Sequence, residues 1–316
     1  MNKISIIIPV YYNEDTLMLL YEDMKEKILS SFEDYEIVMV DDGSGDSSWQ
    51  VMSDIQALDP YHVKLLHLSR NYGEHAAILA GLNECTGNCA VTKQADLQED
   101  SELILEMYES WKQGNKVILA VREDRDDGKI YQLFANLYYK MMQKLVNSSM
   151  PKGGFDCYLL DRQVIEVLKM FDEKNSALTL QILWVGFKSD KIYFHRKART
   201  IGKSRWTLGK KVKLIIDSLM SFSYAPIRLM SFIGVFFFIL AIIGIIACIC
   251  ETVFFGVRSI GWASLMSVVL LTSGLVMLML GILGEYIWRT LDASRNRPPY
   301  LIEDIREPQK DEERKS

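Results

Sequence analysis

The chain has 316 residues, of which 49% are hydrophobic and 24% charged, and its formal net charge is -5 at pH 7. This length is enough for a globular domain of common size plus a further segment. The acidic balance argues against a nucleic-acid-binding protein, which would normally carry a basic face. The hydrophobic residues are spread unevenly, because two long apolar runs lie between Ile227 and Tyr286.

Short β-branched runs alternate with helical segments along the first 120 residues. We predict strands at Ile4–Val10, Glu36–Val40, Val63–Leu68, Cys89–Thr92 and Lys116–Ala120, and helices over Asn13–Lys27, from the turn at Asp46 through Leu58, and over Glu74–Asn83. This alternation predicts an α/β fold with a doubly wound, mostly parallel sheet, because crossovers between parallel strands need a helix.

Polar clusters follow four of these strands. They are Tyr11–Glu14, Asp41–Asp46, Arg70 with Asn71, and Asp96–Gln98. In such sheets ligands bind beyond the carboxyl ends of the strands, so we expect the four clusters to converge on one cleft.

Two apolar runs, Leu229–Cys250 and Trp262–Gly284, each have about the 20 residues that span a bilayer core. A buried helix pair of a soluble protein is the alternative. Basic residues flank the outer ends of both runs, whereas the loop between them carries only Arg258; the flanking residues are Lys210, Lys211, Lys213, Arg228, Arg289, Arg295 and Arg297. The positive-inside rule therefore predicts a multi-pass protein of the plasma (inner) membrane, with both termini and the globular part in the cytoplasm.

The chain is expected to divide into four parts: a globular domain (1–205), an amphipathic interfacial segment (206–228), a two-helix transmembrane hairpin (229–287) and a charged tail (288–316) that is disordered after Pro298. A core helix of the globular domain is the rival interpretation for Trp206–Ala225. Glycines in the second apolar run permit close helix packing, so a homo-oligomer is among the partners that the sequence allows; they are Gly274, Gly281 and Gly284.

The segment Gln94–Gln98 follows a predicted strand and contains an aspartate beside other oxygen donors. Hard cations prefer oxygen ligands, so Asp96 with Gln98 could hold Mg²⁺ or Mn²⁺ against a diphosphate. Taken alone, so short a segment is more often a helix start, with Asp96 as N-cap and Glu99 at the third helical position.

Six motifs in this order, followed by two apolar runs, resemble the family-2 glycosyltransferases with a GT-A fold, in the polyprenyl-phosphate branch that contains bactoprenol glucosyltransferases and dolichol-phosphate mannose synthases. The motifs are Ile6–Glu14, Val40–Ser44, Leu68–Gly73, Ala95–Gln98, Gly153–Asp156 and Gly202–Trp206. The resemblance covers nearly all of the chain.

The resemblance implies an inverting, metal-dependent transfer of a hexose from a nucleotide-sugar, expected to be UDP-linked, to undecaprenyl phosphate. It implies that Asp96 and Gln98 bind the metal and that ten residues surround the nucleotide-sugar: Pro9, Tyr11, Glu14, Asp41, Asp42, Arg70, Gln94, Ala95, Arg199 and Lys203. One departure stands out, because Gln94 replaces the first aspartate of the family's usual Asp-x-Asp. Either Asp96 with Gln98 suffices, or catalysis is impaired.

Arg122 and Arg125 follow the strand that starts at Lys116. A solvated charge run is one interpretation. With the resemblance, both become a clamp for the lipid phosphate, since guanidinium groups match phosphate geometry. Asp156 is expected to orient the acceptor or the sugar, or else to be part of a structural turn. A phosphate acceptor is mostly dianionic at pH 7, so a dedicated general base is not required.

Two other functions are compatible with the sequence. One is a transferase that acts on a hydroxyl acceptor, which would need a carboxylate base. The other is a degenerate nucleotide-sugar-binding scaffold, which the glutamine at position 94 suggests.

Overall fold

A computed structural model describes residues 2–123, 140, 142–144, 149–151, 154–171, 178–195, 217, 220, 223, 225–255 and 262–309. The chain divides into two compact units. The first comprises Met1–Leu214 and Pro298–Ser316, and the second comprises Ile215–Arg297. The described residues from Pro298 onward therefore cluster with the first unit.

The first unit is built on an eight-stranded sheet with the strand order β7-β5-β6-β4-β1-β2-β3-β8. The strands are β1 (Lys3–Val10), β2 (Asp34–Asp41), β3 (Val63–Leu68), β4 (Cys89–Thr92), β5 (Val117–Arg122), β6 (Phe155–Asp161), β7 (Ser189–Phe194) and β8 (Ile302–Arg306). The helices among the described residues of this unit are α1 (Leu17–Lys27), α2 (Ser48–Leu58), α3 (Glu74–Glu84), α4 (Leu103–Lys112), α5 (Arg162–Leu168) and α6 (Leu178–Trp184), with a short 3-10 turn at Leu29–Ser31.

The centre of the sheet is parallel, as the alternation of strands and helices predicts. Strand β1 lies between β2 and β4 and is parallel to both. Its residues from Ile4 to Val10 are buried, which is why this run is apolar without alternation. Helix α3 packs closely on the sheet, since a Cβ added at Gly81 would lie 2.5 Å from Cγ2 of Ile7.

The order of the strands reverses beside β1. The chain passes from β1 to β2 and β3 on one side, and then returns to β4 on the other. Such a reversal opens a crevice at the carboxyl ends of the strands, where ligands of doubly wound sheets bind. The predicted fold class, a mostly parallel doubly wound sheet followed by two apolar helices, is confirmed.

Two strands are antiparallel. Strand β6 inserts between β4 and β5 and runs opposite to both, so the first residues of β6 lie at the edge where β4 and β5 end. The sequence did not predict β6 or the edge strand β8.

The C-terminal segment is ordered between Ile302 and Arg306, contrary to the disorder expected after Pro298. It forms β8, which pairs antiparallel with β3 and covers the edge of that strand. The guanidinium of Arg306 lies 4.8 Å from the ring of Trp49, and Lys64 forms a 3.0 Å ion pair with Glu307. Charge composition favoured disorder, but the backbone groups of an open sheet edge offer hydrogen bonds that this segment uses.

The second unit contains two long helices, α7 (Ala225–Phe255) and α8 (Trp262–Ser294). Both are long and apolar enough to cross a membrane, over Pro226–Gly244 and Leu271–Ser294. Near the end of α8, Arg289 forms ion pairs with Asp217 at 2.6 Å and with Glu285 at 2.9 Å. Most of the predicted interfacial segment Trp206–Ala225 lies outside the described residues.

Removing β8 should destabilise the first unit. We expect a chain truncated after Pro298 to unfold about 5 °C below the full chain in detergent, because it loses the β3–β8 pairing and the contacts of Arg306 and Glu307. A chain truncated after Gln309 keeps β8 and is the matched control. Equal unfolding midpoints for the two truncated chains, measured by thermal scanning, would contradict a stabilising role for this strand.

Candidate functional site

The loops that follow β1 and β2 are joined by backbone-to-side-chain hydrogen bonds. The amide of Tyr12 donates to Ser44 Oγ at 2.9 Å, and the amide of Asn13 donates to Ser48 Oγ at 2.8 Å. Glu14, which was predicted to contact the nucleotide, accepts a 2.8 Å bond from the Ser47 amide. These bonds hold two neighbouring loops at the carboxyl edge of the sheet.

Asp42 holds the next loop. Its buried carboxylate accepts hydrogen bonds from the amides of Tyr72 at 2.7 Å and Gly73 at 2.9 Å, and from the side-chain amide of Asn71 at 2.9 Å. Gly43 has a φ of +68°, and a Cβ there would lie 2.6 Å from the carbonyl carbon of Arg70. The Asp-Asp-Gly sequence therefore lets the loops after β2 and β3 lie backbone to backbone.

The environment of Asp42 changes its proton affinity. Burial raises the pKa of the Asp42 carboxyl from 3.8 to about 6, and the charge of Asp41 acts in the same direction, while the amides of Tyr72 and Gly73 oppose the change. Desolvation therefore prevails over hydrogen bonding at this carboxyl.

Asp41 is fully buried and lies beneath the same loops. One carboxylate oxygen accepts a 3.1 Å bond from the Ser44 amide, and the other lies 2.8 Å from Nδ1 of His67. The His67 ring also packs 4.8 Å from the ring of Trp49. Sequence reasoning gave His67 no site role, since an isolated histidine in a strand carries no spacing signal.

The segment after β4 forms a compact turn. The buried ammonium of Lys93 donates a 2.6 Å bond to the carbonyl of Glu99, and Thr16 Oγ1 donates a 2.6 Å bond to the carbonyl of Ala95. Leu97 has a φ of +57°, a conformation that non-glycine residues seldom adopt. The hydrogen bonds from Lys93 and Thr16 hold the backbone of this turn in place.

Asp96 and Gln98 lie within this turn, where Asp96 Oδ1 accepts a 3.2 Å bond from the Gln98 amide. The following helix, α4, begins at Leu103 and not beside Asp96. The interpretation of Asp96 as a helix N-cap is therefore wrong, and its carboxylate belongs to the turn at the sheet edge.

Gln94 makes a contact that the sequence did not suggest. Its side-chain nitrogen donates a 2.7 Å bond to Oε1 of Glu74, the first residue of α3. Glu74 is 20 residues away in the chain, and only the packing of α3 against the sheet brings the two together.

Arg122, the last residue of β5, forms an ion pair with Asp156 on β6. The Arg122 side chain is 15% exposed and that of Asp156 45% exposed, so the pair lies at the surface of the same sheet edge. Because β6 runs antiparallel beside β5, Asp156, which was predicted to orient the acceptor or the sugar, lies next to Arg122, which was predicted to bind the acceptor phosphate.

The structure places most predicted site residues at the carboxyl ends of β1, β2, β3, β4 and β5 or at the start of β6: Pro9, Tyr11, Glu14, Asp41, Asp42, Arg70, Gln94, Ala95, Asp96, Gln98, Arg122 and Asp156. Arg70 is exposed and stacks 4.2 Å over the ring of Tyr72. Arg125, Arg199 and Lys203 lie outside the described residues. The ligand contacts of all these residues stay predictions.

Within the described part of the chain, no three His, Cys, Asp or Glu side chains come together to hold a metal ion. Asp96 offers a carboxylate, and Gln98 and Gln94 offer amide oxygens. Mg²⁺ commonly takes one or two carboxylates and completes its shell with water and substrate phosphates. The donor set fits an open site of that kind and not an all-protein cage.

The raised pKa of Asp42 predicts a pH-dependent contribution to stability. A carboxyl whose pKa is higher in the folded state stabilises the fold below its unfolded pKa of 3.8, and this contribution is lost as the pH rises through about 6. Between pH 5 and pH 7.5 we expect the wild-type chain to lose about 3 °C in unfolding midpoint relative to Asp42→Asn. Thermal unfolding in detergent measures the difference. The control Asp54→Asn, on the exposed side of α2, should behave as wild type, and a constant offset for Asp42→Asn would contradict the account.

Comparisons with known proteins agree with this architecture. The signature described as "Glycosyl transferase family 2" matches residues 5–169. The chain is 35% identical over 300 residues to the uncharacterized glycosyltransferase YkcC of Bacillus subtilis, covering 95% of this chain and 93% of that protein. It is 33% identical to the prophage bactoprenol glucosyl transferase homolog of Escherichia coli, covering 96% and 99%. It is 32% identical to the bactoprenol glucosyl transferase of Shigella phage SfX, covering 95% and 98%.

Solved structures are more distant. The Staphylococcus aureus TarS fragment 1-349 in complex with UDP-GlcNAc is 14% identical, with a TM-score of 0.47 and coverage of 70% of this chain and 67% of that chain. The family signature and the relatives that align along nearly the whole chain establish that this protein is a glycosyltransferase and belongs to glycosyl transferase family 2.

Proposed function

We propose that the protein transfers a hexose from a UDP-linked donor to undecaprenyl phosphate at the cytoplasmic face of the plasma membrane, with inversion at the anomeric carbon. The observation that supports this most is the alignment of bactoprenol glucosyl transferases over 95% or more of the chain, which includes both apolar helices. The product would be a lipid-linked sugar for modification of cell-envelope glycans.

The donor half of the site would be formed by the joined loops after β1 to β4. Tyr11 and Arg70 lie at the surface of these loops, while Asp41 and Asp42 are buried beneath them and hold their shape. The side chains that hold the loops thus position those that can contact a nucleotide. Preorganised loops spare the enzyme the cost of ordering them when the donor binds.

Asp96 and Gln98, in the turn after β4, would hold Mg²⁺ or Mn²⁺. A divalent ion bound there would neutralise charge on the diphosphate and so stabilise the departing UDP. The turn is held by Lys93 and Thr16, which fixes where the Asp96 carboxylate is presented. Arg199 and Lys203 are predicted to add positive charge beside the leaving group.

The acceptor half would use Arg122, with Arg125 predicted beside it. A guanidinium can bind two phosphate oxygens at once. Arg122 forms an ion pair with Asp156, and the carboxylate keeps its side chain at the sheet edge. An incoming phosphate would compete with Asp156 for this guanidinium, so the pair positions Arg122 before the acceptor arrives.

The chemistry proposed is one displacement. A phosphate oxygen of the lipid attacks C1 of the hexose, the bond between C1 and the β-phosphate oxygen breaks, and UDP leaves with the electron pair. The second pKa of a phosphate monoester is about 6, so the attacking oxygen is already ionised at pH 7 and no side chain must remove a proton. Transfer to a hydroxyl acceptor differs in this respect, because it needs a general base.

Helices α7 and α8 would anchor the enzyme in the membrane that contains its acceptor. Their apolar side chains are largely exposed, including Phe232 at 74% and Met277 at 70%. In a bilayer these apolar side chains would contact lipid tails and not water. The distribution of Lys and Arg supports a cytoplasmic location for both chain ends.

Replacing Asp96 tests the donor half. We expect Asp96→Asn to reduce turnover at least about 100-fold, because the variant loses the carboxylate proposed to bind the metal ion, while the unfolding midpoint changes little. The measurement is transfer of labelled sugar from UDP-hexose to undecaprenyl phosphate in purified membranes. Glu102→Gln, a change on an exposed carboxylate six residues further on, is the control. Full activity in Asp96→Asn would remove the metal assignment.

Replacing Arg122 tests the acceptor half. We expect Arg122→Ala to raise the KM for undecaprenyl phosphate about tenfold while the Kd for UDP changes less than about twofold, since the guanidinium binds the lipid phosphate and not the donor. Steady-state kinetics and calorimetry give the two values. Lys112→Ala, which removes an exposed cation at the end of α4, should change neither. An equal loss in both values would argue against the phosphate clamp.

A further inference from the structure

This chain has Gln94 where the family usually has the first aspartate of Asp-x-Asp, and a carboxylate from another part of the chain lies next to this glutamine. Position 94 holds a neutral glutamine, and the carboxylate of Glu74 lies 2.7 Å from its amide nitrogen. Both side chains are half-buried. A carboxylate is therefore still present beside the turn that carries Asp96, but it belongs to the first residue of α3 and not to position 94.

The bond between the two side chains also determines the orientation of the glutamine. An ionised carboxylate only accepts hydrogen bonds, so the atom of Gln94 that faces Glu74 must be the NH₂ group. The carbonyl oxygen of the same planar amide then points away from Glu74. Without Glu74, either end of the amide could face the turn.

The position of Glu74 is itself well determined. It follows Gly73, whose amide is bound by the Asp42 carboxylate at 2.9 Å, so the start of α3 is attached to the loop after β2. The charge of Glu74 also reaches the interior: burial raises the pKa of Tyr158 on β6, and Glu74 adds to that increase. Its side chain is half-buried at the start of α3.

We propose that Glu74 is a positioning residue of the donor site, which holds the Gln94 amide so that its carbonyl oxygen serves as the neutral oxygen donor beside Asp96. This inference rests on the proposed function, since it concerns the same diphosphate and cation. It follows that positions 74 and 94 are matched, one anionic and one an amide. A carboxylate at position 94 requires the loss of the carboxylate at position 74.

The pairing of Glu74 with Gln94 predicts that a carboxylate at position 94 weakens UDP binding, although the family motif has a carboxylate at this position. Gln94→Glu replaces the amide with a carboxylate of the same length and places two carboxylates about 3 Å apart beside an anionic ligand. We expect this change to weaken UDP binding in the presence of Mg²⁺ about tenfold and to reduce turnover at least as much. Adding Glu74→Gln reverses the two chemical groups, restores the hydrogen bond, and should return both values to within about threefold of wild type.

The experiment measures UDP affinity by calorimetry with Mg²⁺, and turnover with UDP-hexose and undecaprenyl phosphate, for the full-length wild type, Gln94→Glu and the double variant. Gln50→Glu is the matched control, because Gln50 donates a 2.9 Å bond to Asp54 on the exposed face of α2 and makes the same like-charge pair away from the site. Gln50→Glu should leave UDP affinity unchanged.

Recovery in the double variant supports the positioning role, since a merely destabilised protein would not regain affinity from a second substitution. Unchanged UDP affinity in Gln94→Glu, or a loss that persists in the double variant, would overturn it. UDP binding that follows the expected pattern without any glycolipid product would contradict the proposed function and leave the pairing supported. A wild-type chain that does not bind UDP would contradict both.

Discussion

The site depends on how the loops at one edge of the sheet are held against each other. Parallel strands deliver four polar loops to this edge, but loops alone would be mobile, because ordering each residue costs about 1–2 kcal/mol of conformational entropy. The buried carboxylate of Asp42 offsets part of this entropy loss by accepting three hydrogen bonds from the loop after β3. Gly43 allows the close approach that these bonds require.

This constraint changes the interpretation of the acidic residues in the motifs. Asp41 and Asp42 are both nearly inaccessible, at 0% and 2% exposure, and their oxygens are bound to neighbouring loops and to His67. They shape the surface from beneath, whereas Asp96 and Arg122 lie at the edge itself, where a diphosphate and a lipid phosphate could reach them. One set of residues provides rigidity, and we propose that the other provides the chemistry, so a motif of adjacent aspartates need not be a metal site.

Much of the sheet could be predicted because its signal is local. The buried runs Val63–Leu68 and Cys89–Thr92 agree with the observed strands residue for residue, since a strand covered on both faces is largely apolar. The helix expected from Asn13 begins at Leu17 instead, because the carbonyl of Asn13 accepts the amides of Thr16 and Leu17 in a turn. Strand β8 was missed for a different reason: Ile302–Arg306 is charged, and its partner β3 is more than 230 residues away in the chain. The Glu74–Gln94 contact was missed likewise, because no spacing rule joins a helix start to a strand end.

We propose that an anionic lipid headgroup displaces UDP from a hexose at this edge of the sheet, and mass spectrometry of the lipid product can test this. Membranes containing the protein, supplied with UDP-hexose, Mg²⁺ and undecaprenyl phosphate, should yield undecaprenyl phosphate increased by the mass of one hexosyl group, with one UDP released for each. A hexose found only on a hydroxyl acceptor, or no hexosylated lipid with any UDP-hexose although UDP binds, would contradict the claim.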